Sequence, residues 1–140
     1  MSRLWELCED IKLAHVGSLL ARGEDINSKD SFGAIALMQA VWRNHNSIVR
    51  LLLNQPAVDV NVKNNYGSTA LHWAALCNNA EGARMLLLNK DFNSANNVTD
   101  DYGNTALMFA VRKRNEEVLL ELVKHQCVSL DVGRFEMDQG

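Results

Sequence analysis

The chain has 140 residues, of which 47% are hydrophobic, and its formal net charge is −3. This length suits one domain with a packed core, which excludes disorder over most of the chain. The small negative charge excludes binding driven by nucleic-acid phosphates or by an anionic membrane surface.

The N-terminal segment and the cysteines indicate an intracellular protein. Charged residues interrupt the apolar ones throughout the first ten positions, so this segment is not a secretory signal. No stretch approaches the run of about 18 apolar residues that a membrane span needs. Cys8, Cys77 and Cys127 are odd in number and far apart, which favours reduced, buried thiols over disulfides or a metal site. We therefore expect a cytoplasmic and/or nuclear location, with no membrane insertion.

A repeated five-residue pattern begins at Gly33, Gly67 and Gly103, with spacings of 34 and 36 residues. A fixed period of this size is typical of a repeat protein, in which each unit buries its apolar face against its neighbours. The predicted fold is an all-α repeat solenoid, with helix-turn-helix units joined by β-turn or hairpin loops. We divide the single domain 1–140 into a degenerate unit of about 1–29, units 30–63, 64–99 and 100–132, and a short tail 133–140.

Each full unit contains the same predicted elements in the same order. A polar turn comes first, opened by Asp or Asn and closed by Gly, as turn geometry requires. A short first helix follows, with apolar residues at i, i+3 and i+4, as in Leu71, Ala74 and Ala75. A second helix carries larger aliphatic residues, and an extended segment ends the unit.

The second helix of the last unit needs a cover over Leu119, Leu122 and Val123. Within this chain only Phe135 and Met137 remain to supply one. If these two do not fold back, a further repeat or domain follows in the parent protein.

The segment Gly67 to Ala75 resembles the ankyrin repeat, since it contains the pattern Thr-Ala-Leu-His-x-Ala after the turn glycine. The resemblance recurs in register over about 130 residues. It implies that His72 is a structural residue that bonds across the turn. Ile35 occupies the repeat position that Thr69 and Thr105 occupy in the next two units. The second unit therefore lacks a capping hydroxyl, which is worth about 1 kcal/mol. We expect that unit to be weaker or to expose an apolar spot, and Ile35→Thr to stabilise it.

No arrangement of residues in the sequence indicates a catalytic site. His72 and Cys77 are separated by about 500° of helix, so they do not face each other. The acidic doublets are adjacent residues that point apart, and each glycine stands alone, without a phosphate-binding loop. The four histidines fall in separate units without a second metal ligand at helical spacing. We predict no enzymatic activity, no metal, no cofactor and no small-molecule substrate.

By resemblance, partners contact the concave face, which we define as the turn tips together with the exposed sides of the first helices. The positions carried over to this face are Phe32, Tyr66 and Tyr102 at the tips, and Trp42, Arg43, Leu76, Arg112 and Lys113 near the helix ends. Aromatic and arginine side chains dominate interface hot spots. The alternatives are that the tip aromatics lie flat on their own units and that Trp42 covers a flank.

Charge varies along this face from Glu9-Asp10 in the first unit to Arg112-Lys113-Arg114 in the last. This gradient would orient a partner with acidic residues over the last unit, while the alternative is a merely solvated surface. Three cations in an acidic chain are too few for nucleic-acid binding.

The predicted function is protein–protein interaction on the concave face. The alternative is a regulatory or substrate-targeting domain of a larger enzyme or scaffold. The resemblance also implies possible hydroxylation at Asn61 and Asn27, each eight residues after a leucine. The alternative for both is a structural asparagine that bonds the turn backbone.

Overall fold

The computed structural model describes residues 20–92 and 98–125, and these two segments contain helices but no strand. The helices, in chain order, are α1 Ala36–Trp42, α2 Asn46–Leu53, α3 Ala70–Cys77, α4 Ala80–Leu88, α5 Ala106–Lys113 and α6 Glu116–Lys124. They form three successive helix pairs, as the repeat pattern predicts. The predicted all-α repeat stack is therefore confirmed.

The helices lie in two layers. The first helices of the units, α1, α3 and α5, pack on one another, and the second helices, α2, α4 and α6, do the same. Ala40, Ala74 and Ala110 are fully buried in the first layer, where their small side chains let neighbouring helices approach closely.

The second layer supplies the larger core side chains. Leu52, Leu86 and Leu122 occupy the same position in successive units, and all three are fully buried. Burial of one such side chain contributes roughly 1.5–3 kcal/mol. The core therefore runs continuously along the stack between the two layers, and no unit holds it alone.

The turns are organised by the Asp or Asn that opens each of them. In the last turn, Asp100 Oδ1 accepts hydrogen bonds from the backbone N–H groups of Tyr102, at 2.9 Å, and Asn104, at 2.8 Å. Asp30 and Asn64 make the equivalent pairs of bonds. The glycine that closes each turn is in the left-handed region, with φ of 78°, 78° and 81° along the chain. The predicted turn chemistry is observed in all three turns.

Successive turns are joined by backbone hydrogen bonds. Asn65 N–H donates to Phe32 O at 2.9 Å, and one unit later Asp101 N–H donates to Tyr66 O at the same distance. A Cβ added at Gly33 would lie 2.8 Å from Asn65 N, and one added at Gly67 would lie 2.8 Å from Asp101 N. Both glycines are thus required by the close approach of the next turn as well as by their φ.

Two asparagines, Asn79 and Asn115, each tie a unit to the one before it, and sequence reasoning missed both. Asn79 is 2% exposed, its Nδ2 donates to Val41 O at 3.0 Å, and its Oδ1 accepts from Gly82 N–H at 2.9 Å. One unit later, Asn115 Nδ2 donates to Ala75 O at 2.6 Å. These amides donate to carbonyl groups in the last turn of a first helix, where carbonyl groups lack partners within the helix itself.

The expectation for Ile35 is wrong in one respect. Ile35 does precede α1 without a side-chain capping bond, but it is 1% exposed and lies within the core. It therefore forms no apolar spot at the turn, because the neighbouring units cover it completely. The missing hydrogen bond is offset by buried apolar surface.

Several sequence-based predictions fall outside the described residues. These are the first part of the degenerate unit, the charge at Glu9-Asp10, the thiols of Cys8 and Cys127, and the cover by Phe135 and Met137 in and near the tail. Within the described part, α6 is partly uncovered: Leu122 is fully buried, whereas Val123 is 38% exposed.

Candidate functional site

The turn tips carry a row of solvent-exposed aromatic side chains. Phe32, Tyr66 and Tyr102 are 60%, 51% and 78% exposed, and each stands immediately before the glycine that closes its turn. The Asx hydrogen bonds within each turn and the backbone bonds between turns hold these positions at a regular spacing. More than half of each residue remains accessible, which does not fit the alternative that the rings lie flat on their own units.

Trp42 lies at the end of α1 and is 45% exposed. Its ring contacts Trp73 of α3 edge to face, with the ring centroids 5.6 Å apart and the planes at 73°. Aromatic pairs prefer this geometry because the positive edge of one ring meets the negative face of the other. The exposed ring of Trp42 and the half-buried ring of Trp73 therefore form one partly exposed aromatic surface that spans the second and third units.

Sequence reasoning missed Trp73. A signal was available, because Trp73 lies three residues before Leu76 and so belongs to the same helical face as a predicted site residue. Trp73 is equivalent to Gln39 in the unit before it and to Phe109 in the unit after it. This position lines the exposed side of the first helices, where all three residues are half-buried.

Leu76 is less accessible than the sequence predicted. It was expected at the open end of the helix, but it is half-buried, as is its neighbour Cys77. The Cys77 thiol lies 3.5 Å from Val41 O of the preceding unit, and burial raises its pKa. The preceding helix thus covers this side of α3, so Leu76 borders the concave face instead of projecting from it.

Basic side chains lie at the ends of the first helices in the second and last units. Arg43, Arg112 and Lys113 are all exposed, as predicted. The Arg112 guanidinium donates to Asn104 Oδ1 at 3.1 Å and lies 5.8 Å from the centroid of the Phe109 ring. A hydrogen bond and a cation–π contact therefore hold this charge near the first helices.

His72 is structural, as the resemblance implied. Its Nδ1 accepts from Thr69 N–H at 3.0 Å, so its Nε2 carries the proton and donates to Asn104 O of the next unit at 2.9 Å. Burial lowers the pKa of His72, with hydrogen bonding to Asn104 opposing that shift in part. A neutral imidazole with both nitrogens occupied in this way links two units and is poorly placed for proton transfer to a ligand.

The two asparagines predicted as modification sites bond the backbone of the next unit. Asn27 Nδ2 donates to Ala57 O at 2.8 Å, and Asn27 Oδ1 accepts from Asp59 N–H at 3.0 Å. Asn61 Nδ2 donates to Asp91 O at 3.0 Å. Both amides therefore have the structural role that was the alternative to hydroxylation.

Over 20–92 and 98–125, no three His, Cys, Asp or Glu side chains are grouped so that they could hold a metal ion. In the same segments, no helix has the length and apolar character needed to cross a bilayer.

The repeated helix pairs, the linked turns and the exposed first-helix face define a repeat solenoid of the ankyrin class. Comparison with protein families agrees with this: a model of three ankyrin repeats matches residues 7–96, and a model of one ankyrin repeat matches residues 102–132. The first match alone covers more than half of the chain, which therefore belongs to the ankyrin-repeat family. No curated protein matches the sequence significantly. Ankyrin repeats are generally protein-interaction modules and are typically non-catalytic.

Proposed function

We propose that this chain binds a segment or domain of a partner protein on its concave face. The main observation in support is a set of accessible aromatic side chains: the exposed tip residues Phe32, Tyr66 and Tyr102, and the partly exposed pair of Trp42 and Trp73. Aromatic residues contribute large contact areas at low entropic cost and are enriched at interface hot spots. A row of them at the repeat spacing suits an elongated partner.

In this proposal the aromatic residues form the centre of the interface, and Arg43, Arg112 and Lys113 form its charged rim. Leu76 contributes the smaller apolar surface between them. A central aromatic side chain loses its water entirely on binding, whereas rim charges remain hydrated and act over a longer range. The cations of the last unit favour a partner whose acidic residues lie over α5. We infer no role for nucleic acid or for a small-molecule ligand.

The test begins with capture of the partner from native cells and crosslinking, which identifies the contacted units. Trp42→Ala and Tyr66→Ala should each weaken binding of the purified partner about 30-fold, the equivalent of about 2 kcal/mol, without unfolding the array. Leu88→Ala is a matched control, because Leu88 is 62% exposed but belongs to the second layer. It should leave affinity unchanged.

A result that places the partner on the second layer would overturn the proposal. That layer has a shallow groove between α2 and α4, lined by Arg50, Leu53, Met85 and Leu88 among others. Arg84 is an exposed residue of α4 outside this groove. If Arg50→Ala or Arg84→Ala abolishes binding while both aromatic variants bind normally, the partner docks on the second layer. Circular dichroism of each variant separates lost binding from lost folding.

The rim residues have their own test. Arg112→Glu combined with Lys113→Glu should slow association and reduce its salt dependence, because both side chains are exposed and act mainly on the approach of the partner. The dissociation rate should change little. A large increase in the dissociation rate would instead place these charges in the centre of the interface.

The alternative function is a regulatory or substrate-targeting domain of a larger enzyme or scaffold. It predicts the same binding face, with chemistry supplied by another part of the parent protein. Immunodetection of the protein in native cells distinguishes the two: a species clearly larger than a 140-residue chain supports the alternative, and a species of that size contradicts it. Imaging the tagged protein in the same cells tests the proposed cytoplasmic and/or nuclear location.

Hydroxylation of Asn61 and Asn27 remains a separate proposal. The side-chain amides of both residues bond backbone groups of the next unit, and a hydroxyl on Cβ would leave the amide atoms in place. Peptide mapping of protein from animal cells should show one added oxygen on either residue. If neither carries one, the asparagines have only the structural role.

A further inference from the structure

The tryptophan pair on the concave face carries two hydrogen-bond donors that the stack does not use. Within the described part of the chain, neither the Trp42 nor the Trp73 indole N–H donates to a protein group. The Trp73 nitrogen is also open to water, because the fully buried side-chain atoms without a partner in that part belong to Glu121 and His125. Tryptophan is enriched at interfaces because its ring packs on apolar surface while its N–H meets an acceptor. The pair therefore suits a partner that presents both apolar surface and free carbonyl groups.

A partner backbone in the polyproline II conformation presents such carbonyl groups. This helix has no internal hydrogen bonds, so all of its carbonyl groups remain available as acceptors. An α-helix, in contrast, uses its carbonyl groups internally except in its last turn. An added β-strand needs an open sheet edge, and residues 20–92 and 98–125 contain no strand. The unused donors therefore favour a partner in polyproline II over the other regular conformations.

The spacing of the units matches the period of this helix. The first helices pack on one another through fully buried alanines, and the axes of packed helices lie about 8–10 Å apart. Polyproline II rises about 3.1 Å per residue with three residues per turn, so every third side chain lies on one side at intervals of about 9 Å. Partner residues one turn apart thus meet equivalent positions in successive units. Those positions carry the tip aromatics Phe32, Tyr66 and Tyr102, and Trp73 and Phe109 on the first helices.

The first helices also carry a positive charge. α1, α3 and α5 contain no Asp or Glu, whereas Arg112 and Lys113 lie in the last turn of α5 and Arg43 caps α1. All three cations are exposed. Acidic residues between the prolines of a partner complement this surface, and basic residues are repelled by it.

We propose that the partner segment on the concave face is proline-rich and acidic and binds in the polyproline II conformation. The inference rests on the proposed function, because it specifies the partner of the same face. Proline rings pack on the aromatic side chains, and the indole N–H groups of Trp42 and Trp73 donate to backbone carbonyl groups of the segment. Its carboxylates face Arg43, Arg112 and Lys113. Proline also orders the segment before it binds, which lowers the entropic cost of association.

Titration of the full chain with a synthetic peptide of four Pro-Pro-Glu repeats tests this inference. In polyproline II the three positions of each repeat form separate columns, so prolines can face the aromatic residues while glutamates face the cations. Nuclear magnetic resonance of the nitrogen-labelled chain should show that the indole N–H signals of Trp42 and Trp73 move on binding. Peptides of four Gly-Gly-Glu repeats and four Pro-Pro-Lys repeats are the controls for conformation and for charge. Each control should bind at least about tenfold more weakly.

Trp42→Phe and Trp73→Phe assign the two signals and measure the hydrogen bonds, since each variant keeps an aromatic ring and loses the N–H donor. Each should weaken binding of the Pro-Pro-Glu peptide about fivefold. Leu88→Ala on the second layer should leave its affinity unchanged. The inference is overturned by equal affinity for the proline and glycine peptides, by indole signals that do not move, or by unchanged affinity in both phenylalanine variants.

The protein captured from native cells separates this inference from the proposed function. If the Pro-Pro-Glu peptide fails to bind while Trp42→Ala weakens binding of the captured protein, the face is correct and the polyproline II partner is wrong. A crosslinked partner segment that forms an amphipathic helix also overturns the inference and leaves the face in place. If the captured protein binds both Trp42→Ala and Tyr66→Ala normally, the proposed function itself fails.

Discussion

Trp42 of the second unit and Trp73 of the third unit contact each other edge to face, with their ring centroids 5.6 Å apart. The contact joins two units across the exposed side of the first helices, 31 positions apart in the sequence. It therefore combines two functions: it stabilises the stack, and it supplies the aromatic surface on which the proposed interface is centred.

We predict a measurable coupling between these two rings. Trp42→Ala and Trp73→Ala should each lower the free energy of unfolding, and the double variant should lose about 0.5–1.5 kcal/mol less than the sum of the single variants. Chemical denaturation of the four proteins measures this difference. Additive losses would show that the rings lie near each other without interacting.

Ile35→Thr is predicted to lower stability, opposite to the expectation from the ankyrin pattern alone. The substitution removes apolar surface from a residue that is 1% exposed, which costs about 0.8 kcal/mol per buried methylene, and it also buries a hydroxyl that must lose its water. Together these two costs outweigh the gain from a capping hydrogen bond, which is about 1 kcal/mol. Thermal unfolding should show a decrease of about 3 °C.

Thr105→Ile is the matched control for that substitution. Thr105 Oγ1 accepts from Met108 N–H at 3.2 Å, so this variant loses a cap that exists. Thr105→Ile should also lower stability, because the surroundings of this position are packed around threonine in the last unit and around isoleucine in the second. An increase in melting temperature for Ile35→Thr would mean that the cap outweighs burial.

Arg114→Gly is predicted to raise stability by about 1 kcal/mol. Arg114 ends α5 in the left-handed region with φ of 58°, where Asn44 and Asn78 stand in the preceding units, and a side chain with a Cβ is strained there. Lys113→Gly serves as the control with opposite sign, because Lys113 is the last residue of the helix and glycine weakens helices. If both variants are destabilised, the Arg114 side chain makes a contact that outweighs the strain.

The stability of the fold should depend on pH through His72. Burial lowers its folded pKa below the ordinary value of 6.5, so the unfolded chain binds the proton more tightly. The stabilising effect of the neutral imidazole is therefore complete above pH 6.5 and is lost as the pH falls from 6.5 toward the folded pKa. Denaturation curves between about pH 7.5 and pH 5 measure this loss.

His72→Met is the matched variant for the pH experiment, since Met38 and Met108 occupy the equivalent positions. It should be less stable than the native chain above pH 7, at a cost of about 1–3 kcal/mol. Thr69 N–H loses its bond to the imidazole, and Asn104 O keeps only the bond from Asp100 N–H. The difference between the two proteins should shrink as the pH falls. A constant difference would show that His72 does not take up a proton over this range.

The sequence by itself determined the repeat architecture, the turns and the order of the helices. These follow from local chemistry: Gly33, Gly67 and Gly103 accept a positive φ, Asp30 and its equivalents bond their own turn, and the 3.6-residue period places Leu71, Ala74 and Ala75 on one face. The position of Phe32, Tyr66 and Tyr102 at the turn tips was also predictable, whereas the exposure of their rings was left open by the sequence.

The tertiary structure alone decided how each residue meets the next unit. It buried Ile35, withdrew Leu76 from the open surface and paired Trp42 with Trp73. It also placed Asn79 against Val41, 38 residues earlier in the sequence. A sequence pattern reports the face of a helix on which a side chain lies, but burial and hydrogen bonding depend on the distance and angle between packed units. Those quantities follow from the whole stack, because each unit completes its core only against its neighbours.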